Sequence, residues 1–367
     1  MEYPLCHLCL KAPANQPGSH IFSWFLIRGA LNRSGSLRRN NEIAFELSTE
    51  NFVHTYFGSE VLPEQIKAVK GIELTDEEIE NMTNPVTRDY ILCSNCEKRL
   101  SVLEDIVQKQ NFDKLRSLKD IPFPYAFQVF DNGELLRLFV YSLAWRASIV
   151  QQDHFKLDGD HEEKLRRLLD TNLSREKGTL DQNVLTNSIA INRLPLLLTF
   201  SETIGENTNF LFCSWTRKPY EMILNDFSFQ LFFSPKHTKR INESFFGINE
   251  IIPPKKMLSI DDSQLLVGIL SDRQRQLVNR KLAGYVARKI MDRAVALFKT
   301  GFEQLLGRPC PQGIANYFRS KVAFGRDDQV EKYTPEHFTE VAIEVMQEYQ
   351  VTLLNYRLKN GSVGRRQ

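Results

Sequence analysis

Two Cys-x-x-Cys pairs, Cys6 with Cys9 and Cys93 with Cys96, are the side chains of this sequence whose type and spacing speak most directly of chemistry. Each spacing comes from a tight turn that presents two sulfurs to one ion, and two such turns close the tetrahedron that structural zinc prefers. A redox Cys-x-x-Cys needs only one pair, at the start of a helix. The two pairs together predict one structural Zn²⁺ held by Cys6, Cys9, Cys93 and Cys96. Cys213 and Cys310 stand alone and read as buried small hydrophobes.

The elements that must position these thiols follow from local pattern. After Cys96, the apolar residues Leu100, Leu103 and Val107 recur at helical spacing, so the second pair sits at the head of a helix running to about Gln110. Residues 10–92 separate the knuckles, more than a compact zinc ribbon needs, which implies an insertion at about 28–85. Within it, Arg28 to Asn41 carries Arg28, Arg33, Arg38 and Arg39 and no acid, with the Gly, Ser and Asn content of a basic loop or flap. Thr75 with Glu78 is a capping box for a short acidic helix over about 76–83.

Asp131-Asn132-Gly133 marks a turn before Glu134 to Val150, a segment apolar on nearly every side and so a central buried helix, with Arg146 inside it requiring a carboxylate partner. Asp160 and Glu163 cap a further helix. Leu196 to Phe200, Asn209 to Thr216, Tyr220 to Leu224 and Phe227 to Phe233 read as strands of an antiparallel sheet of three to five members, the last half-buried by its alternation, with Asn225-Asp226 as a hairpin turn. Helices follow over about 271–299, 310–320 and from Pro335 to about Leu358. The fold class is α+β in three stretches: a zinc module at 1–118, a helical and antiparallel-sheet region at 119–260, and a helical region at 261–367.

The chain has 367 residues, long enough for two or three packed units, and its 47 basic residues nearly balance 45 acidic ones, so no global field points to nucleic acid. The hydrophobic share of 42% is that of an ordinary globular protein. The start has neither a basic n-region nor an apolar h-region, and the most apolar run, Leu138 to Trp145, is far shorter than the roughly 20 residues of a membrane span. These features place the protein in the cytoplasm, where thiolate ligands are favoured over disulfides.

The order Cys6-x-x-Cys9, Ser19-His20-Ile21, Leu92-Cys93-x-x-Cys96-Glu97 resembles the zinc-bound treble clef of the HNH endonuclease superfamily. It also resembles a group of bacterial proteins that join this module to a Trp-Arg-containing helix, here Ala144 to Ser148, so that the likeness covers about residues 1–150. The resemblance implies that His20 activates water and that Glu97, at the place of a metal-binding histidine, holds a catalytic divalent metal with Asp89 as a further oxygen ligand. Three positions depart from the family pattern: Ile21-Phe22-Ser23 follows His20 without the usual proline, Glu97 replaces histidine, and Arg88 stands where asparagine is common. A carboxylate at position 97 suits Mg²⁺ or Mn²⁺. The bland reading of the same residues is that His20 donates its ring N–H to a carbonyl behind the knuckle and Glu97 favours the helix start.

The remaining histidines have no metal-ligand spacing, and Glu162-Glu163-Lys164, superficially a nuclease-like carboxylate–lysine string, reads as an exposed helix face. Arg273, Arg280, Lys281 and Arg288 fall along one side of their helix, either as a stripe that follows phosphates or as a solvated amphipathic face. The expectation is an HNH-like zinc protein that binds or cleaves DNA or RNA through the 28–39 arginines and this helix. The alternative is a non-catalytic zinc-scaffolded interaction module.

Overall fold

In the computed structural model, a long apolar helix meets both a strand of a six-stranded sheet and the helix that carries the second cysteine pair. The structure describes residues 3–31, 43–48, 52–58, 61–70, 75, 77, 84, 86–119, 126–152, 155–201, 211–213, 218–238, 263–323 and 335–361. Elements in chain order are β1 (Ser19–His20), α1 (Trp24–Leu31), β2 (Ile43–Ser48), β3 (Phe52–Phe57), α2 (Pro63–Lys70), β4 (Thr87–Arg88), α3 (Ser94–Val107), β5 (Ala126–Phe130) and α4 (Gly133–Ile149). Then come α5 (Gly159–Asn172), α6 (Lys177–Thr186), α7 (Ser188–Asn192), β6 (Leu196–Phe200), β7 (Leu211–Cys213), β8 (Tyr220–Leu224), β9 (Phe227–Leu231) and β10 (Leu265–Ile269). Three helices close the chain: α8 (Asp272–Leu306), α9 (Gln312–Ala323) and α10 (Pro335–Gly361). The mixed α and β content, small sheet and helical C-terminal part are those expected from the sequence.

The chain forms two compact units. The first comprises Met1–Ile43 and Phe57–Lys281, the second Ala44–Tyr56 and Leu282–Gln367. The stretches read from the sequence as 1–118 and 119–260 thus belong largely to one unit. The strand β10, beyond position 260, belongs with them because it pairs with β5 and β6.

Helix α4 is buried along nearly its whole length, from Leu135 to Ser148, as its all-round apolar sequence requires. It begins with a close approach: the Gly133 N–H donates to Ser263 O at 2.9 Å, and a Cβ at Gly133 would lie 2.3 Å from that oxygen. Just before it, Asn132 and Asn111 exchange side-chain amide hydrogen bonds of 2.9 and 3.0 Å. That pair sits where α3 widens into a looser turn over Gln108–Phe112 before a last turn, Asp113–Arg116.

The sheet order is β5-β10-β6-β9-β8-β7, antiparallel except for the β10–β6 pair. It has six strands where three to five are read from the sequence; β5 and β10 are the additions. The β8–β9 hairpin turns at Asn225-Asp226 as expected, with Asn225 at φ 58 and Leu224 opposite Phe227. β9 is buried on both faces, not half-buried: Phe227, Phe229 and Leu231 line one side, while Ser228 and Gln230 on the other are also withdrawn from solvent. Across the sheet the Gln230 amide donates to Glu221 at 3.2 Å and Ser228 bonds Thr199, while the Gln230 carbonyl oxygen is buried without a hydrogen-bond partner among the described residues.

The insertion between β1 and β4 opens with helix α1, so Arg28 lies on a helix and not in a loop; the four residues before it, Trp24 to Ile27, start the helix, and Phe25, Leu26 and Ile27 are buried. β2 and β3 pair with each other. The expected acidic helix over 76–83 and the arginines 33, 38 and 39 lie outside the described residues. In the second unit, Ile290, Ala294, Phe298 and Phe302 recur every fourth residue on α8 and meet Ala315, Phe318 and Val322 of α9 and Phe338, Val341 and Val345 of α10. Phe298 stacks on Phe318 with ring centroids 4.3 Å apart.

Candidate metal centre

The first knuckle is a narrow turn. The Cys6 N–H donates to Ala12 O at 2.8 Å and the Leu10 N–H returns to Cys6 O at 2.9 Å. Closing it places Leu10 at φ 56, a left-handed conformation uncommon for a branched residue. In the second knuckle the Glu97 N–H returns to Cys93 O at 3.0 Å as the Leu10 N–H does to Cys6 O. Tyr90, three residues before Cys93, turns at φ 57, and Cys93 is extended at the N-cap of α3, so that Cys96 falls in the first helical turn.

Main-chain bonds knit the two knuckles together. His7 N–H donates to Ile91 O (3.1 Å), Gln16 N–H to Leu92 O (3.1 Å) and Tyr90 N–H to Gln16 O (2.9 Å). The Asn15 carboxamide oxygen accepts the Ser94 N–H at 3.1 Å. This lattice is why residues so distant in sequence place their sulfurs together: the four Sγ atoms of Cys6, Cys9, Cys93 and Cys96 all lie within 4.8 Å of one another. A tetrahedral zinc site with Zn–S bonds of about 2.3 Å sets its sulfurs about 3.8 Å apart, so the donor set fits the ion in type, number and spacing. None of the four is in a disulfide.

The thiols are electrostatically unequal. A hydrogen bond from Cys96 holds the Cys6 thiol down to about 4, helped by the N–H groups of Cys9, Cys93 and Leu8. The same bond, with burial, pushes Cys96 up, and burial pushes Cys93 up. A bound divalent cation supplies the charge that lets all four ionise. Two arginines stand behind the site. The Arg99 guanidinium reaches Cys96 Sγ at 3.6 Å and is fixed by Asp170 at 2.9 Å and Leu173 O at 3.0 Å. Arg166, from α5, donates to Leu8 O in the first knuckle at 2.7 Å.

Beside the cysteines, β1 and β4 pair with Ser19 opposite Arg88 and His20 opposite Thr87. The Ser19 hydroxyl donates to Glu97 Oε2 at 3.1 Å. Burial raises the Glu97 carboxyl above the usual carboxylate range, against the pull of Arg146 and of Ser19. Arg146, 2% exposed, finds its carboxylate in Glu104 at 2.6 Å and also donates to His20 O at 3.0 Å, tying α4, α3 and β1 at one side chain. The His20 ring lies 6.1 Å from the Trp24 ring. Asp89 Oδ1 accepts the Gly18 N–H at 2.6 Å, where Gly18 turns at φ 62. Arg88 donates to the main-chain oxygens of Thr87 (2.8 Å) and Asn84 (3.3 Å).

Of the residues singled out from the sequence, the four cysteines come together around one point. Glu97 joins Ser19 and the Arg146–Glu104 pair beside them, His20 adjoins that group through its main chain, and Asp89 sits at the Gly18 turn. His7, between the ligands, is exposed as expected. Sequence reasoning missed Arg99 and Arg166. Arg99 was legible, three residues after Cys96 and so on the same helix face; Arg166 comes from another helix and carries no local signal. Cys213 is buried as read, and Cys310 is partly buried against the α8–α10 core.

Arg273, Arg280 and Arg288 are exposed on α8. Among the described residues, no helix is long and apolar enough to cross a membrane. No family model matches this chain, and neither a curated protein nor a solved structure matches it.

Proposed function

We propose that this protein is an HNH-like, treble-clef zinc protein that acts on nucleic acid, with the zinc in a structural role. The observation that carries the reading is the convergence of Cys6, Cys9, Cys93 and Cys96, one pair on a turn and the other at a helix head, with the β1–β4 pairing between them. The exposed Arg273, Arg280 and Arg288, with Arg28, Arg33, Arg38, Arg39 and Lys281 of the sequence, are the phosphate-contacting groups of this reading. Binding to DNA or RNA probes, followed by fluorescence anisotropy, then weakens steeply as salt rises, because each neutralised phosphate releases counterions. Absence of binding at low salt removes the nucleic-acid reading.

In the sharper form of the proposal the protein cleaves its target with Mg²⁺ or Mn²⁺. His20 takes the proton from water, and Glu97 and Asp89 offer oxygen ligands to the ion. His20→Ala then lowers cleavage by about a hundredfold or more while zinc content is unchanged. Release of zinc by this variant makes His20 structural.

A non-catalytic zinc scaffold is the second reading, and one observation favours it: Glu97 and Asp89 already accept hydrogen bonds from Ser19 and Gly18 within the module itself. Wild-type protein that binds zinc but neither binds nor cuts nucleic acid meets that reading.

A further inference from the structure

On the face of α5, the string Glu162-Glu163-Lys164 divides three ways. Glu162 accepts the Lys156 ammonium at 2.7 Å and the Ser148 hydroxyl. Glu163 is taken by Arg166 and Arg167, each at 2.6 Å. Asp170, further along the helix, is held by Arg99. Lys164 is left with no ion pair among the described residues. It lines a cleft of about 540 Å³ formed by α5 with α7 and the turn that follows it, and Arg193, also without an ion pair among the described residues, lines the same cleft.

Lys164 and Arg193 share this concave site with no ion pair, among the described residues, to either carboxylate that lines it, Asp160 or Glu163, so the two cations repel each other and the half-buried Lys164 also loses solvation. Burial, and after it the charge of Arg193, lowers the Lys164 ammonium from its ordinary value. An anion in the cleft reverses both penalties. The pairing of a planar guanidinium with a point-charge ammonium suits the oxygens of a phosphate.

We infer that this cleft is a binding site for a phosphorylated small molecule of about nucleotide size, its phosphate held between Lys164 and Arg193. The volume lies in the range of small-molecule sites, roughly 300–1,000 Å³. Neutral residues for the rest of the ligand are present: Thr171 lines the cleft, as does Asn187, which spends its amide hydrogens on Asn172 and Asn183 and keeps its carbonyl oxygen as an acceptor. Asp160 also lines the cleft and opposes an anion; Glu163 is neutralised by its two arginines.

The test is calorimetric titration of the full, zinc-loaded chain with AMP, with adenosine, with pyrophosphate and with a short oligothymidylate, in low salt and without added Mg²⁺ or Mn²⁺. AMP and pyrophosphate bind saturably at one site and adenosine does not. Lys164→Gln and Arg193→Gln each weaken AMP by about tenfold, as loss of one charge-assisted contact does. Lys164→Arg retains binding, Asp160→Asn tightens it, and Lys119→Gln, outside the cleft, leaves it unchanged. All these positions except Lys164 are exposed, and thermal melts of each variant report its folding.

An oligothymidylate that competes with AMP and is lost with Lys164→Gln identifies backbone phosphate as a second source of the same chemistry. The inference is overturned if no phosphate probe saturates at millimolar concentration, if adenosine binds as well as AMP, or if only the oligonucleotide binds. Because no metal or cleavage enters the titration, failure of the nuclease reading and failure of this site are separately visible.

Discussion

In the second unit Phe298 stacks on Phe318 inside a core built wholly of apolar side chains from α8, α9 and α10, and its ion pairs, such as Lys321 with Glu344 and Glu348, lie outside that core. Around Cys6 and Cys93 the chain is held instead by a few polar contacts of fixed geometry: four sulfurs, a handful of main-chain bonds and two arginines. The difference teaches where each region is vulnerable. An apolar core loses stability in proportion to the volume removed, whereas a ligand cluster fails as a set, since three thiolates hold an ion far less well than four.

Removing the ion is the harshest way to break the comparison. Structural zinc contributes on the order of 10 kcal/mol to small zinc domains. A strong chelator, or Cys93→Ser, is expected to abolish zinc by elemental analysis and to expose the amides of residues 3–20 and 86–100 to hydrogen exchange, while α9 keeps its protection. Retained protection in the metal-free protein would show that the main-chain lattice suffices without zinc.

In the other direction, Phe298→Ala empties part of the helical core and should cost about 3–5 kcal/mol. Urea unfolding measures the loss, and zinc content is expected to stay at one ion per chain. Glu104→Ala leaves the buried Arg146 without its carboxylate, at a cost of about 3 kcal/mol, and is expected to lower thermal stability together with zinc affinity because Arg146 also fixes His20. Unchanged zinc affinity would separate the buried pair from the metal centre.

The smallest expected effect is one of pH. The His161 ring stacks on Phe233 at 3.8 Å, and burial, ahead of the opposing charge of Asp158, lowers its imidazole below 6.5. The unfolded chain therefore takes up this proton first as pH falls. The stability His161 contributes is present above about pH 6.5 and is lost as pH falls through its folded value. His161→Gln is expected to flatten the wild-type decline in melting temperature between pH 7 and 5. An identical slope in the variant assigns the decline to other groups.

The parts legible in the sequence are those whose cause is local. Cys-x-x-Cys is a turn and a donor pair at once, and α4 announces its burial because no face of it is polar. β8 and β9 carry their hairpin turn between them. By contrast β5 turns Phe127 and Val129 outward, 50% and 38% exposed, so its alternation misreports which face is buried. β10 joins β6 in parallel, a pairing between segments far apart in sequence that no nearby residue encodes. Helix α1 was hidden by Gly29, which disfavours a helix by about 1 kcal/mol, and burial of Phe25, Leu26 and Ile27 outweighs that preference. The partners of Arg146 and Arg99 were illegible for the same reason as β10: Glu104 and Asp170 are brought to them by packing of whole helices.

At Gly133 the backbone of α4 touches the segment entering β10 so closely that even a methyl group would overlap Ser263 O. Every other amino acid carries at least that carbon, so no drift through chemically similar residues is open to this position. Among descendants of a common ancestor that keep this sheet and helix, position 133 should stay glycine however far the surface diverges. Relatives too distant to recognise by overall likeness would then share with this chain a glycine at the head of an apolar helix, as well as two pairs of cysteines.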